Sequence, residues 1–405
     1  MAILKTNAMD LRGGQSVWAR TGQQIRVKSR GSDETCDVAI VGCGVSGALI
    51  GLRLALLGFD VVFVDKRCPA RGSTIASTAM IQFEIDTPLI ELADRLGAKK
   101  AERAYLRSAK AVADLGSIIR KYQIGCGWKD RSALFLAGTS IGHRGLRKEA
   151  KYRRRIGLPS EFIGASELEA SYGFKRTGAI SSNLAAELNP LALTLNALRA
   201  VKRSGARIYS PHCITEIECA SRSVTLHARQ TSMKIVAKKA IFATGYETIA
   251  QIPSKEYNII SSWAIATQPL NIDQFWPTQC LVWEASDPYL YMRATSDQRI
   301  LVGGEDAQTA DPKKRDALIP EKALELMRKL KKLLPGRNLT VEYAWAGAFA
   351  DSPTGLPFIG EVDGLPNCMA VLGCGGNGIT FSVIAADICD AWSRGRKDAD
   401  SNLFC

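Results

Sequence analysis

The chain has 405 residues, 46% hydrophobic and 23% charged, with 35 Gly and 15 Pro. That composition fits two or three folding units with ample core, and it excludes a disulfide-dependent miniprotein, a disordered tail or a collagen-like chain. Its 53 Lys and Arg against 40 Asp and Glu leave a formal charge of +13, which raises nucleic acid or an anionic ligand as a partner until the charges are located.

The 11 cysteines are scattered, odd in number and without a C-x-x-C pair, and His143, His212 and His227 lie far apart with no metal spacing. Buried thiols in a reducing cytosol are therefore expected, with no metal site and few players for hydrolytic triads. Residues 1–35 read as an irregular N-terminal arm. They lack the apolar core of a secretory signal, and no uncharged apolar run of about 18 residues occurs anywhere, so no membrane span and a cytoplasmic location are expected. The basic, acid-poor stretch Leu4 to Arg30 shares its composition with a mitochondrial presequence, the other reading of the arm.

From Cys36 the pattern changes. Val38 to Val41 is a continuous apolar run, as in a strand buried on both faces of a parallel sheet. Gly42-Cys43-Gly44-Val45-Ser46-Gly47 follows at once, then a helical stretch from Ala48 to Leu57. A second apolar strand, Val61 to Val64, is closed by Asp65, 23 residues after Gly42. In this context Gly42 permits a tight turn, Gly44 lets the backbone approach a pyrophosphate, and Gly47 lets helix and strand pack closely. The helix N-terminus supplies N–H groups for phosphate, and an acid at Asp65 suits a ribose and disfavours a 2′-phosphate, so FAD or NAD is preferred to NADP.

Arg71 to Gln82 is a run of small and hydroxyl residues that lets a backbone approach a flat ring. Thr87-Pro88 starts a long helical stretch, and Ser132 to Leu136 reads as a strand. Arg144, Arg147, Lys148, Lys151, Arg153, Arg154 and Arg155 fall on one predicted helix; Lys313, Lys314, Arg315, Lys322, Arg328, Lys329, Lys331 and Lys332 fall on another segment. Both alternate with apolar residues, as solvated amphipathic faces do, and no aromatic stacking motif accompanies them, so no nucleic-acid partner is expected. Pro190 to Ser204 is a predicted helix leading to a strand at Ile208. Val224 to His227 and Lys234 to Val236 suggest a β meander before the strand that ends in Ala243-Thr244-Gly245. Strand-like stretches follow at Ser261 to Pro269, Leu281 to Glu284, Tyr289 to Ala294 and Ile300 to Gly304. Gly355 to Gly360 precedes Gly373-Cys374-Gly375-Gly376-Asn377-Gly378-Ile379-Thr380, which opens a helix from Phe381 to Trp392.

These motifs, in this order, resemble the glycine oxidase and D-amino-acid oxidase (DAO) family of FAD-dependent oxidoreductases from about Cys36 to Arg396. The resemblance extends to bacterial members of unassigned substrate through Tyr289 to Arg293, Val302 to Asp306 and Gly373 to Gly378. It implies an α/β fold: a Rossmann-like FAD-binding domain, discontinuous in sequence (36–83, 159–248 and 340–405), with an α+β substrate cap on a mixed or antiparallel sheet (84–158 and 249–339). It also implies FAD on Gly42, Gly44, Ser46 and Gly47 (pyrophosphate), Asp65 (ribose), and Arg71, Gly72, Ser73, Thr74, Ser77 and Thr78 (phosphate and ribityl side), with Val45, Lys66, Ala79 and Met80 as further cofactor-binding residues. Ile214 falls at the adenine, Ala243, Thr244 and Gly245 at the middle of the cofactor, and Gly375, Gly376, Asn377, Gly378, Ile379 and Thr380 under the flavin pyrimidine, where a helix N-terminus stabilises negative charge.

The implied reaction oxidises a C–N bond of an amino acid or secondary amine by hydride transfer to flavin N5. The imine is then hydrolysed, and the reduced flavin passes electrons to oxygen or another acceptor. No histidine base is needed, and no catalytic side chain is assigned. Two departures from the family stand out. After Trp345-Ala346-Gly347 the family typically places an arginine that forks onto a substrate carboxylate, whereas here Ala348-Phe349-Ala350 follows. Relatives that tether FAD use a cysteine just before the stretch matching Pro353 to Pro357, but Gly347 to Ser352 has none and Arg71 to Gln82 has no His, so FAD is expected to be non-covalent. Substrate-binding candidates are Gln82, Tyr289, Tyr291, Arg293 as a replacement arginine, Trp345 and Phe349; each is equally suited to a structural role. A pyridine-nucleotide reductase is disfavoured, because a second nucleotide fingerprint and a C-x₄-C redox pair are both missing. A non-catalytic or electron-transferring flavin subunit of a multiprotein dehydrogenase is the alternative.

Overall fold

The computed structural model describes residues 2–3, 10–29, 31–228, 231–247 and 257–405. Two sheets carry the architecture. In the first, of nine strands, the apolar run around Val38 becomes strand Glu34–Val41, flanked by Met233–Gly245 and Val61–Val64, with Arg207–Tyr209 at one edge. These four strands are mutually parallel where they pair, with Ile40 opposite Phe63 and Ile241. Val61–Val64 is buried along its whole length, as a strand covered on both faces must be. Met233–Gly245 is one long strand that runs through the expected meander into Ala243-Thr244-Gly245. Its outer edge pairs antiparallel with Val224–Ala228 and then parallel with Cys368–Leu372.

Helix Val45–Leu56 lies against this sheet and packs on helices Pro190–Arg203 and Gly378–Ser393. The closeness depends on small residues: a Cβ on Gly51 would fall 2.0 Å from the Phe63 ring, and one on Gly47 would fall 2.0 Å from the Gly42 carbonyl oxygen. The hydroxyls of Ser46 and Ser382 pair at 2.8 Å and join the first helix to the last.

The second sheet has ten strands and is antiparallel except where Leu281–Glu284 runs parallel to Lys129–Leu136. Its centre comes from the predicted cap strands Asn258–Thr267, Ile300–Ala307 and Leu290–Ala294. Sheet membership departs from the expected boundaries. Met80–Gln82, Ser160–Gly164, Gly178–Glu187 and Val341–Asp351 pair in this second sheet, and Arg12–Gly14 of the arm adds to its edge beside Trp345 to Gly347. The long helical stretch after Pro88 is two helices, Leu89–Leu96 and Ala98–Lys121, broken at Gly97 with φ +83°.

The two basic segments form helices His143–Arg155, Pro312–Ala317 and Ile319–Leu333. They are not solvated throughout. Arg153 is fully buried and donates to Glu149 at 2.7 Å, while Glu149 accepts the N–H groups of Leu89 and Ile90 at the start of another helix. Arg315 is likewise buried, its guanidinium on Asp316 and on the Asp10 carbonyl. A buried charge needs such partners; Glu149 and Asp316 are near neighbours in sequence, whereas the Asp10 carbonyl and Glu84, which Arg153 also reaches at 3.5 Å, lie far away.

Candidate active site

The turn after strand Glu34–Val41 is set by Gly42, whose φ of +115° is open to glycine. Gly44 caps helix Val45–Leu56, and the first N–H of that helix, from Val45, is taken by Thr74 Oγ1 at 3.0 Å. A Cβ on Gly44 would meet only Thr74 Oγ1, at 3.3 Å, so the backbone there is bare toward the cleft. Asp65 stands at the end of the second strand. One of its oxygens accepts the Cys43 N–H at 2.6 Å and the other the Arg67 N–H at 2.8 Å. Burial nevertheless raises its carboxyl above the ordinary range.

Gly42, Gly44, Val45, Ser46, Asp65, Lys66, Gly72, Ser73, Thr74, Ser77, Ile214, Ala243, Thr244, Gly245, Gly375, Gly376, Gly378 and Ile379 line one elongated cleft. Thr78, Ala79, Met80, Gln82, Tyr289, Tyr291, Trp345, Phe349 and Asn377 line a second cleft. The two are continuous through Ser73, Ser77, Tyr246, Gly375 and Gly376.

Some expected residues lie elsewhere. Gly47 sits behind the turn, where it permits the close helix packing. Thr380 is buried and donates to the Gln82 carbonyl at 3.2 Å. Arg71 turns away from both clefts and donates to the Gln23 carbonyl at 3.2 Å. Lys66 lines the cleft but spends its ammonium on Glu247 at 2.6 Å, an ion pair that Arg67 joins at 2.7 Å. Burial opposes the charge on Glu247, but hydrogen bonds from Arg67 and Lys66 outweigh it and hold the carboxyl below its ordinary value.

Arg293 is the main correction. It lines neither cleft: its guanidinium, 2% exposed, donates to the carbonyls of Thr78 at 2.6 Å, Leu188 at 2.8 Å and Ala294 at 2.9 Å. Its alternation with Tyr289 and Tyr291 puts it on their face of the strand, but further along, under the arm residue Trp18. With three of its five N–H groups on carbonyls and its guanidinium outside both clefts, it is not placed to fork onto a substrate carboxylate there.

Sequence reasoning missed how the loop between the clefts is held. Each carbonyl from Ile75 to Thr78 accepts a side-chain donor: Ser16 Oγ on Ile75 at 2.6 Å, Trp345 Nε1 on Ala76 at 2.8 Å, Trp18 Nε1 on Ser77 at 2.8 Å, and Arg293 on Thr78. Two of the four donors come from the arm, for which sequence offered no motif. Trp345 thus has a fixed orientation while its ring lines the second cleft.

Tyr246, Asp86, Ser262 and Trp283 complete the second cleft. Trp283 stacks on Phe135 with ring centroids 3.7 Å apart, and Tyr289 stacks near Tyr291 at 5.9 Å. Tyr291 has room because its cross-strand neighbour is Gly303, where a Cβ would overlap the ring. Burial pushes the Tyr291 hydroxyl up to about 12 and also raises that of Tyr289 well above its ordinary value, so both stay protonated. Tyr289 donates to Asp306 at 2.7 Å. Burial raises Asp306 to about 6. Two buried polar groups facing this cleft have no protein partner, Gln82 Oε1 and Trp283 Nε1.

Residues 37–392 match the family described as "DAO: FAD dependent oxidoreductase". Among curated proteins the chain is 25% identical to gamma-glutamylputrescine oxidoreductase of Escherichia coli K12, over 91% of this chain and 87% of that one. The fold matches glycine oxidase from Geobacillus kaustophilus with a TM-score of 0.74 at 20% identity, covering 90% of this chain and 96% of the other. It matches L-proline dehydrogenase from P. horikoshii with a TM-score of 0.76 at 19% identity, covering 92% and 96%. The first cleft fits the cofactor this family requires. Its glycine turn and helix N-terminus present bare backbone to a pyrophosphate, and the Ser73 hydroxyl is buried without a partner on its wall, as a group awaiting a ligand oxygen would be.

Proposed function

The chain belongs to the family of FAD-dependent oxidoreductases, and on that premise we propose that it oxidises a C–N bond of an amine or amino acid. The carrying observation is the second cleft, which opens onto the FAD cleft and is walled by Trp283, Tyr289, Tyr291, Trp345 and Phe349. FAD bound in the first cleft supplies the two-electron acceptor, and the resulting imine is hydrolysed by water. The chain's own part is to orient and to desolvate. Trp345 and the anchored loop from Ile75 to Thr78 fix one wall, and the aromatic rings exclude water from the reacting carbon. No histidine lines the second cleft, and His212 of the first stands beside Ile214, where the adenine is expected, so a substrate amine enters in its neutral form at the reacting nitrogen without a histidine base. The electrons taken from the amine would pass on to oxygen or to another acceptor.

Among the described residues no helix is long and apolar enough to cross a membrane. The test is anaerobic mixing of the yellow holoprotein with a panel of primary amines, secondary amines and amino acids, read as bleaching of flavin absorbance and repeated in air for peroxide. Bleaching by an amine but not by NADH is expected. Stable oxidised flavin across the whole panel would favour a flavin subunit without its own substrate chemistry.

A further inference from the structure

Asp86 follows strand Met80–Gln82 and projects into the second cleft beside the loop that opens the last helix. Its Oδ2 accepts the Gly376 N–H at 3.1 Å. A Cβ at position 376 would lie 2.9 Å from both carboxylate oxygens, so the glycine and the carboxylate fit only together. Asp86 is the single formally charged side chain on the cleft wall, and among the described residues no Lys, Arg or His pairs with it. The position where the resembled family places a carboxylate-binding arginine carries Phe349, and Arg293 is committed to three carbonyls.

A second, independent observation points to a ligand. Gln82 is 7% exposed, its side chain lines the same cleft, and its Oε1 is buried without a donor. An unpaired buried amide is costly until something occupies the space before it. The same cleft is lined by the rings of Trp283, Tyr289, Tyr291 and Phe349, and a further acid, Asp306, lies 2.7 Å from the Tyr289 hydroxyl.

We propose that this cleft selects an amine that is positively charged and lacks a carboxylate near the reacting nitrogen, with Asp86 as counter-charge, Gln82 Oε1 as an N–H acceptor and the aromatic faces as a cation-stabilising wall. A diamine, N-alkylated or not, carries a second, non-reacting cationic nitrogen that such a wall can hold, while an α-carboxylate would face Asp86 with no cation to offset it. The Trp283 N–H suits a neutral oxygen on the ligand. The proposal rests on the reading of the chain as an amine-oxidising flavoenzyme, and it concerns charge selection alone.

The test uses the holoprotein and a cation that cannot form an imine. Tetramethylammonium chloride is titrated while the flavin visible band and tryptophan fluorescence are followed, against sodium acetate and against sodium chloride as an ionic-strength control. Saturable perturbation by tetramethylammonium but not acetate is expected, weakened at least about tenfold in Asp86→Asn, a variant that keeps an acceptor for the Gly376 N–H. Should that variant lose flavin, the two wild-type titrations still decide: no saturable effect of tetramethylammonium, or equal binding of acetate, overturns the proposal. Unchanged affinity in a flavin-replete Asp86→Asn does so too. Cation binding without bleaching by any amine would sink the amine-oxidation reading and leave the charge selection standing; bleaching by α-amino acids that is indifferent to Asp86→Asn would do the reverse.

Discussion

Arg293 Nε donates to the carbonyl of Thr78 at 2.6 Å, joining the middle of the second sheet to the loop that walls both clefts, across 215 positions of sequence. Together with its bonds to Leu188 and Ala294, this makes the guanidinium a brace for the cleft. Arg293→Met should leave three buried carbonyls without a donor and cost about 3–5 kcal/mol in denaturant unfolding, with reduced flavin content. An Arg293→Met protein of unchanged stability whose only defect is a raised KM would show that Arg293 touches substrate.

The glycines of the turn separate fold from cofactor. At Gly47 an added methyl meets the Gly42 carbonyl at 2.0 Å, whereas at Gly44 it meets only Thr74 Oγ1 and then open cleft. Gly47→Ala should therefore destabilise the apoprotein by about 1–3 kcal/mol, as overpacking does. Gly44→Ala should melt like the parent apoprotein and bind FAD at least about tenfold more weakly, because its methyl occupies space the pyrophosphate needs. Melting curves of the apoproteins and FAD titrations make the comparison, and equal behaviour of the two variants would contradict it.

FAD should leave the denatured protein. Of the two cysteines on the wall of the first cleft, Cys213 stands beside Ile214, where the adenine is expected, and burial pushes the Cys374 thiol up to about 12, so almost none of the latter is the nucleophilic thiolate at neutral pH. Precipitation with trichloroacetic acid is expected to give a white pellet and a yellow supernatant, and the intact polypeptide should have its unmodified mass. A pellet that stays yellow after washing refutes this.

Asp306 sets a pH dependence. Burial raises its carboxyl from 3.8 to about 6, so the folded state holds this proton more tightly than the unfolded chain does. Its stabilising contribution is full below pH 3.8 and is lost as pH rises through about 6. Relative to wild type, Asp306→Asn should gain stability over that window, by at most about 3 kcal/mol. Denaturant midpoints measured across the window check the sign, and a difference that does not change with pH would rule it out.

The strand, glycine turn, helix, second strand and Asp65 are legible because their signals are local. Buried parallel strands must be apolar throughout, a pyrophosphate turn needs glycines at fixed offsets, and an acid closes the unit within 23 residues. The same holds for the strand ending at Gly245 and the helix opened by Gly378. What the sequence hid is pairing at a distance. Nothing near Ser16 or Trp18 announces that they hold the carbonyls of Ile75 and Ser77, 59 positions away in each case, and the arm therefore looked irregular. Alternation placed Arg293 with the two tyrosines, but position along the strand, which alternation does not report, put it beyond the cleft.

By itself, then, the sequence determined the dinucleotide unit, the order of the motifs and the absence of an arginine after Gly347, since each is a matter of residue type at short spacing. The tertiary structure alone decided which charge lines the second cleft. Asp86 and Gly376 are 290 positions apart, and Arg153 and Arg315 look like surface cations until Glu84 and the Asp10 carbonyl fold over them. A side chain's charge can be read from its letter, but its meaning depends on the dielectric and the partners around it, and those exist only once the chain has closed.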